Sequence, residues 1–325
     1  GALLAGAASV LSLARAQGRL RARAFAGAVV ACIAVDLYAA GAHVNLVPAP
    51  PAELAVDPLV AALRAGATGR VHNEDRLPRN FGVLHGVEAT SGASPLRLRT
   101  FDDLHGALSR SNERRLWDLL AVSDVLSWRA ALDAPAERVA ALGEGDAATY
   151  LHRLTAATPF VWRAVSAERV DGDAAALERL ASPDFDPLAA VLLHDGVPGG
   201  PAGRQSGVGN VVRRPGEVEA QTYGDGPGWL VFSEMHYPGW QATVDARPAP
   251  VLRADVALIA VPVPPGEHTV RLWFTAPWVG VGIAVSALSM AVVAGLAALQ
   301  RRAGHAPRPG AGAGEVDAGR PGGGR

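Results

Sequence analysis

Lysine is missing from this chain. All 30 of its basic residues are arginine, and against 31 acidic residues they leave a net charge of −1 over 325 residues. So even a balance gives no electrostatic footprint for nucleic acid, and no arginine stripe interleaved with aromatics is present. The richness in Ala, Gly and Arg fits the coding bias of a GC-rich genome better than a chemistry. Cysteine is reduced to one residue, Cys32. It lies inside an apolar run, so the polar bulk of the chain contains no disulfide and must be held by its core. Also absent are a Gly-x-Ser-x-Gly elbow, a His-Glu-x-x-His pair and a phosphate-cradling glycine loop. Hydrolase and nucleotide-enzyme readings therefore lack support.

What the chain does have is long hydrophobic runs. Residues 276–299 carry no charge, and Arg301 and Arg302 follow. A hydrocarbon core of ~30 Å needs about 20 helical residues, so this run is long enough to cross a bilayer. A second run occupies residues 24–42. Residues 1–14 are apolar but too short to span alone, and they lack the Met and positive n-region of a signal peptide. They read as the remainder of a transmembrane helix, in what looks like the C-terminal portion of a longer multi-spanning protein. Arg15, Arg19, Arg21 and Arg23 crowd the connection before the second run; Arg301, Arg302 and Arg308 follow the last. The positive-inside rule places both clusters in the cytoplasm, which puts residues 43–275 outside it in a multi-pass cell-membrane protein. Trp273 and Trp278 fit an aromatic belt at the outer interface, and Pro277 fits a helix start.

The expected fold is a membrane-anchored α+β protein. Val47-Pro48-Ala49-Pro50-Pro51 is a stiff exit from the membrane. Residues 43–195 read as an α/β region, with helices at Pro58–Ala65, Leu104–Leu108, Arg115–Leu120 and Gly172–Ala181. The last of these is capped by Asp171 or Asp173. Strands are expected at Val122–Trp128, Phe160–Val165 and Ala189–His194. Residues 196–216 read as a Gly/Pro linker centred on Gly199-Gly200-Pro201. Residues 217–275 then alternate apolar and polar in five segments, as expected of a small antiparallel β-sandwich. In it, Asp245-Ala246 occupies a hairpin position where Asp-Gly is commoner. The tail, 300–325, is expected to be disordered and cytoplasmic.

The stretch from Leu230 through Tyr237-Pro238-Gly239-Trp240 to Asp245 resembles the YfhO-like family of bacterial membrane proteins. So do Pro248–Ala254 and the segment Val261–Val270 with its Pro265-Gly266-Glu267-His268 turn. Weaker likenesses lie at Gly69-Arg70-Val71 with Asn80 and Gly82, at Leu116–Leu126, where Trp117 and Ala121 depart from the pattern, and at Phe185-Asp186-Pro187. The resemblance implies a GT-C-type membrane glycosyltransferase that moves a sugar from a polyprenyl-phosphate carrier to a cell-envelope glycopolymer. In such enzymes the catalytic carboxylate belongs to the first outer loop, which this chain does not include. No catalytic residue is carried over, and the chain alone is expected to be inactive. No cofactor is evident, although the resemblance leaves room for a divalent cation in the full enzyme. The alternative class is a non-catalytic, membrane-anchored module that binds glycan or protein.

Several polar residues remain to be weighed. Asp36 lies inside the 24–42 run, where an acid is costly unless it is paired or faces water, so it is a candidate for function. It either meets a lipid-phosphate sugar, through a cation or as a base, or hydrogen-bonds a neighbouring helix. His236, Tyr237 and Trp240 offer an aromatic platform for glycan. Equally, Pro238-Gly239 can fix a corner whose rings fill the core, the better-supported reading because the flanking strands need plugging. Asp184-Phe185-Asp186 is a D-x-D that could hold a metal, but caps around a turn account for it. His72-Asn73-Glu74-Asp75 has metal-capable side chains without ligand spacing and reads as a polar loop. Arg253 is expected to pair with Asp255 or Asp245 at the surface.

Overall fold

The computed structural model describes residues 2–45, 58–94, 96–194 and 206–303. The Val47–Pro51 exit, the Gly199–Pro201 linker centre and residues 304–325 of the tail lie outside the described residues. Contacts divide the chain into two compact units, Gly1–Ala93 with Ser123–Thr155, and Ser94–Val122 with Ala156–Arg325.

The first unit opens with two helices that pack on each other, α1 (Ala2–Ala16) and α2 (Ala22–Asn45). Their connection is set by Gly18 at φ 72°, whose N–H donates to Arg15 O while Arg19 N–H donates to Ala14 O. This is the Schellman pattern, in which a left-handed residue lets the helix close its last carbonyls. At 15 residues α1 is about 22 Å long, short of a ~30 Å core. α2 is long and apolar enough to cross a membrane, and none of its apolar window, Ala22–Ala39, is buried by protein.

The rest of this unit is a four-stranded sheet with two short helices. α3 (Pro58–Gly66) lays Leu59, Val60 and Leu63 on one face. β1 (Arg70–Asn73), α4 (Phe81–His85), β2 (Val122–Ser127), β3 (Ala136–Leu142) and β4 (Thr149–Leu154) follow, in sheet order β1-β2-β4-β3. Leu59, Leu63, Val71, Phe81, Leu126 and Leu151 form its core. β2 is buried throughout, whereas β3 is an exposed edge strand with a register shift at Arg138/Ala140. Such irregularity blunts an edge against further pairing. Asn80 and Gly82, two of the family-like residues, have local reasons. Asn80 sits at φ 68° and both donates to and accepts from the backbone of Ala93. A Cβ at Gly82 would lie 2.2 Å from Val87 O.

The second unit contains α5 (Arg99–Ser111), α6 (Glu113–Leu119) and α7 (Asp173–Ala181). Asn112 caps α6 by accepting from Arg115 N–H. Before α7 the structure corrects the expected Asp cap. The N-cap is Gly172 at φ 100°, with no side-chain bond, because the chain enters from a direction only glycine adopts readily.

Among the described residues of this unit, eleven strands make two sheets. β5 (Val161–Ala164), β6 (Ser166–Arg169), β7 (Ala190–Leu193), β10 (Gly228–Phe232), β13 (Leu252–Ala254) and β14 (Leu258–Val263) form one, in order β5-β10-β14-β13-β7-β6. The other is antiparallel, β12-β11-β15-β9-β8, from β8 (Ser206–Arg214), β9 (Glu217–Gly224), β11 (Trp240–Val244), β12 (Arg247–Ala249) and β15 (Gly266–Phe274). Leu230, Phe232, Ile259 and Val261 from the first sheet and Val218, Ala220, Val270 and Leu272 from the second share one apolar cluster. β9 and β15 alternate buried and open residues, as a strand with one solvated face does. After β15, Pro277-Trp278 turns into α8 (Val279–Ala303), a second helix long and apolar enough to span, none of whose apolar window is buried.

Three expectations are revised. Residues 217–275 are not a self-contained sandwich, since β10 pairs with β5 and β13 with β7, both from the region expected to be separate. The cause is visible in the sequence: Gly228–Phe232 and Leu258–Val263 do not alternate, and such runs must be covered on both faces. In this unit the expected α/β layer contributes the parallel pair β6–β7, joined through α7, while β5 and β7 also pair antiparallel with β10 and β13. Finally, the linker's second half is β8, and α8 continues through residues 300–303 of the expected tail. The fold is α+β with mixed and antiparallel sheets.

Candidate functional sites

The crossing from β10 to β11 carries the Tyr237–Trp240 motif. Ser233 Oγ donates to Leu119 O at 2.8 Å, and His236 N–H donates to Ala257 O at 2.7 Å. The turn then closes on Gly239 at φ 121°, whose carbonyl accepts from Thr275 N–H. No side chain fits there: a Cβ would lie 2.6 Å from Thr275 O and 2.8 Å from Phe274 Cε2. Trp240 is half-buried against the shared apolar cluster and meets Phe274 edge-on, with centroids 5.5 Å apart. Tyr237 also lies against Phe274, with centroids 6.3 Å apart, and is half exposed. Tyr237, Pro238, Phe274, Pro277 and Trp278 line a mostly apolar groove of about 510 Å³ at the start of α8. The three candidate residues are thus divided among roles. Tyr237 faces the groove, Trp240 plugs the core, and His236 lines neither; burial, with Arg253 nearby, pushes the His236 imidazole down.

A second, polar cleft of about 380 Å³ opens on the solvated side of the five-stranded sheet. Strand register builds it. Tyr223 pairs across β9–β15 with Glu267, and Gln221 with Thr269, so these four project from the same face. On the β8 side, Gly207 and Gly209 contribute no side chains. At the far end, the Asp245-Ala246 loop closes β11–β12 with both residues at positive φ, 50° and 63°. That is the backbone of a type I′ hairpin. Asp245 Oδ1 accepts from Thr269 N–H, and Oδ2 lies 2.6 Å from His268 Nδ1. His268 Nε2 lies 3.0 Å from Pro265 O. An imidazole facing two acceptors donates from both nitrogens only when charged, so the Asp245 carboxylate and the Pro265 carbonyl push His268 up, while His268 holds Asp245 down. The family-like Gly-Glu-His turn and the hairpin Asp are one hydrogen-bonded unit. Their separation in sequence hid it.

The remaining candidates resolve locally. Asp36 is exposed on α2, within the apolar window. In the D-x-D, Asp184 accepts from Ser182 Oγ and from Arg179 at 3.0 Å, and Asp186 caps Leu188 N–H at 2.9 Å. Phe185 between them is buried beneath Arg115 and Arg179. Both carboxylates serve the turn. Around His72, Asn73 Oδ1 accepts from Arg76 and Leu77 N–H, Glu74 accepts from Ser127 and Arg129, and Asp75 pairs with Arg79. Arg253 corrects another expectation. It pairs with Asp173 at 2.8 Å and donates to Val256 O, because Asp255 is turned inward. There Asp255 Oδ1 accepts from Leu192 N–H, and burial raises its carboxyl to about 7. Sequence reading placed Asp255 at the surface; its position amid Ala254 and Val256-Ala257-Leu258-Ile259 was the available signal of burial.

No curated protein and no solved structure matches the chain. A family model does: that of the bacterial membrane protein YfhO matches residues 210–286, from within β8 to the first turns of α8. Residues 210–286 are thus similar to a bacterial membrane protein family, and two unburied helices long and apolar enough to span support a membrane location.

Proposed function

We propose that this chain is part of a multi-spanning membrane glycosyltransferase of the YfhO type. It would serve transfer of a sugar from a polyprenyl-phosphate carrier to a cell-envelope glycopolymer. The observation that carries the reading is the family match, which runs without a break from the five-stranded sheet into an apolar helix. In this reading the residues between α2 and α8 lie outside the cytoplasm, where carrier-linked sugars and envelope polymers meet. Both flanking arginine clusters then lie inside. No catalytic group is carried over by the resemblance, and the folded region contributes acceptor recognition.

Asp36 is the one acid placed within an apolar window. In a bilayer such a group requires a partner or water. A carrier phosphate held through a cation, or an acceptor hydroxyl giving up its proton, would supply one. The test uses the complete protein in its own cells. Asp36→Asn is expected to lower envelope glycosylation about tenfold or more while membrane insertion is unchanged. Unchanged glycan in that variant removes Asp36 from the site. Unchanged glycan on deletion of the whole gene would overturn the transferase reading and leave the non-catalytic binding module, for which the polar cleft is sufficient.

A further inference from the structure

The polar cleft contains an aromatic ring held close against a strand. A Cβ built at Gly207 would lie 2.5 Å from Tyr223 Oη, 2.6 Å from Cζ and 2.9 Å from Cε1. Gly207 and Tyr223 are register partners across β8–β9. The ring therefore rests on the bare backbone of β8, held from below, and the residue remains 50% exposed. Glycine inside a strand weakens it and marks a close approach. Here two glycines alternate, Gly207 and Gly209, and together they keep the β8 side of the cleft open.

Around the ring stand groups that exchange hydrogen bonds with hydroxyls: the Gln221 amide, the Glu267 carboxylate and the Thr269 hydroxyl. The charge pattern narrows the ligand. Glu267 disfavours a phosphate or an acidic polymer, while Asp245 balances the charge of His268 beside it. A metal ion is disfavoured as well, because both Asp245 oxygens already accept, one from Thr269 N–H and one from His268. A ligand with an apolar C–H face and a rim of uncharged hydroxyls satisfies both the ring and its surroundings.

We propose that this cleft seats a neutral pyranose ring of a glycan chain, stacked on Tyr223. That the glycan is an envelope polymer rests on the function proposed above; the seat itself rests on the geometry of the cleft. The seat is tested with the full chain in lipid nanodiscs by saturation-transfer difference NMR. The probes are cellotetraose, mannotetraose and tetra-N-acetylchitotetraose, with a tetragalacturonate as the acidic control. At least one neutral probe is expected to receive saturation at its ring C–H protons, and the acidic one none. Tyr223→Ala should weaken binding about tenfold, while Tyr223→Phe, which keeps the ring, should change it less than about threefold. Gly207→Ala keeps the tyrosine but lifts it from the strand, and should weaken binding as Tyr223→Ala does. No saturation of any neutral probe by the folded protein overturns the seat, as does undiminished binding by Tyr223→Ala. The outcomes separate cleanly from those of the transferase test. A cell whose envelope glycan survives gene deletion contradicts the enzyme but not the seat, and a protein that glycosylates yet binds none of these sugars contradicts the seat alone.

Discussion

At the scale of single residues, the hairpin that closes the cleft shows how sequence and backbone disagree. Ala246 occupies a left-handed position at φ 63°, where an L-residue with a Cβ is strained. Ala246→Gly should therefore raise the unfolding free energy by about 0.5–1 kcal/mol, the relief of strain exceeding the entropy added to the unfolded chain. Denaturant unfolding of the nanodisc-embedded chain measures this; a loss of stability would mean that the turn is not left-handed in solution. His268 makes a different prediction. Its pKa is raised in the fold by Asp245 and the Pro265 carbonyl. Stability from this contact is then fully present below the unfolded histidine value, roughly 6.5, and is lost as pH rises through the higher folded value. Asp245 is held down, so its share is present above the ordinary aspartate range and lost as pH falls through its lowered value. NMR titration should find the His268 imidazole still charged above its ordinary range, and Asp245→Asn should lower it toward that range, the Pro265 carbonyl remaining. A His268 that titrates at or below the ordinary value in the wild-type chain contradicts the doubly donating ring.

At the scale of elements, Arg163 ties the two sheets of the second unit together. From β5 it donates to Thr222 Oγ1 on β9 and to the carbonyls of Gly226 and Pro264. Its path is clear because residues 224 and 228 are glycines, where a Cβ would fall within 3 Å of the guanidinium. At the opposite end of β15, Trp240 packs against Phe274 and the shared apolar cluster. Trp240→Ala is expected to cost about 2–4 kcal/mol, less than a fully enclosed tryptophan would, and to leave sugar binding at Tyr223 intact in whatever fraction remains folded. A fully stable variant with weakened glycan binding would restore Trp240 to the platform role.

The elements that were legible in sequence are those whose pattern is local. Pro58–Gly66 shows its apolar face at helical spacing, and Ala190–Leu193 is a short apolar run bounded by turns. What was not legible depends on partners. Ser206–Arg214 becomes a strand because β9 pairs with it, although its glycines read as linker. Three-residue strands such as Arg247–Ala249 carry no periodicity at all. The cleft was hidden for the same reason, since Gly207, Tyr223, Asp245 and His268 come from separate strands and turns. The sequence did display the residues of the Tyr237–Trp240 corner, but register and burial decide which ring faces water.

At the scale of the whole molecule, the membrane assignment rests on two helices none of whose apolar windows is buried, and on a family match that enters the second of them. Leu288, Met290, Val293 and Leu296 are each more than half exposed on α8. Such a surface is stable in hydrocarbon, where the helix satisfies its own backbone, and is costly in water. The scarcity noted at the start now becomes useful: with one native cysteine, Cys32→Ser gives a chain without thiols. Arg247→Cys in that background places a single thiol on the exposed β12 edge. A membrane-impermeant maleimide applied to intact cells should label it as fully as it does after permeabilisation. Labelling only after permeabilisation would place the sheets in the cytoplasm, and contradict the outward-facing domain on which the proposed transfer to an envelope glycan depends.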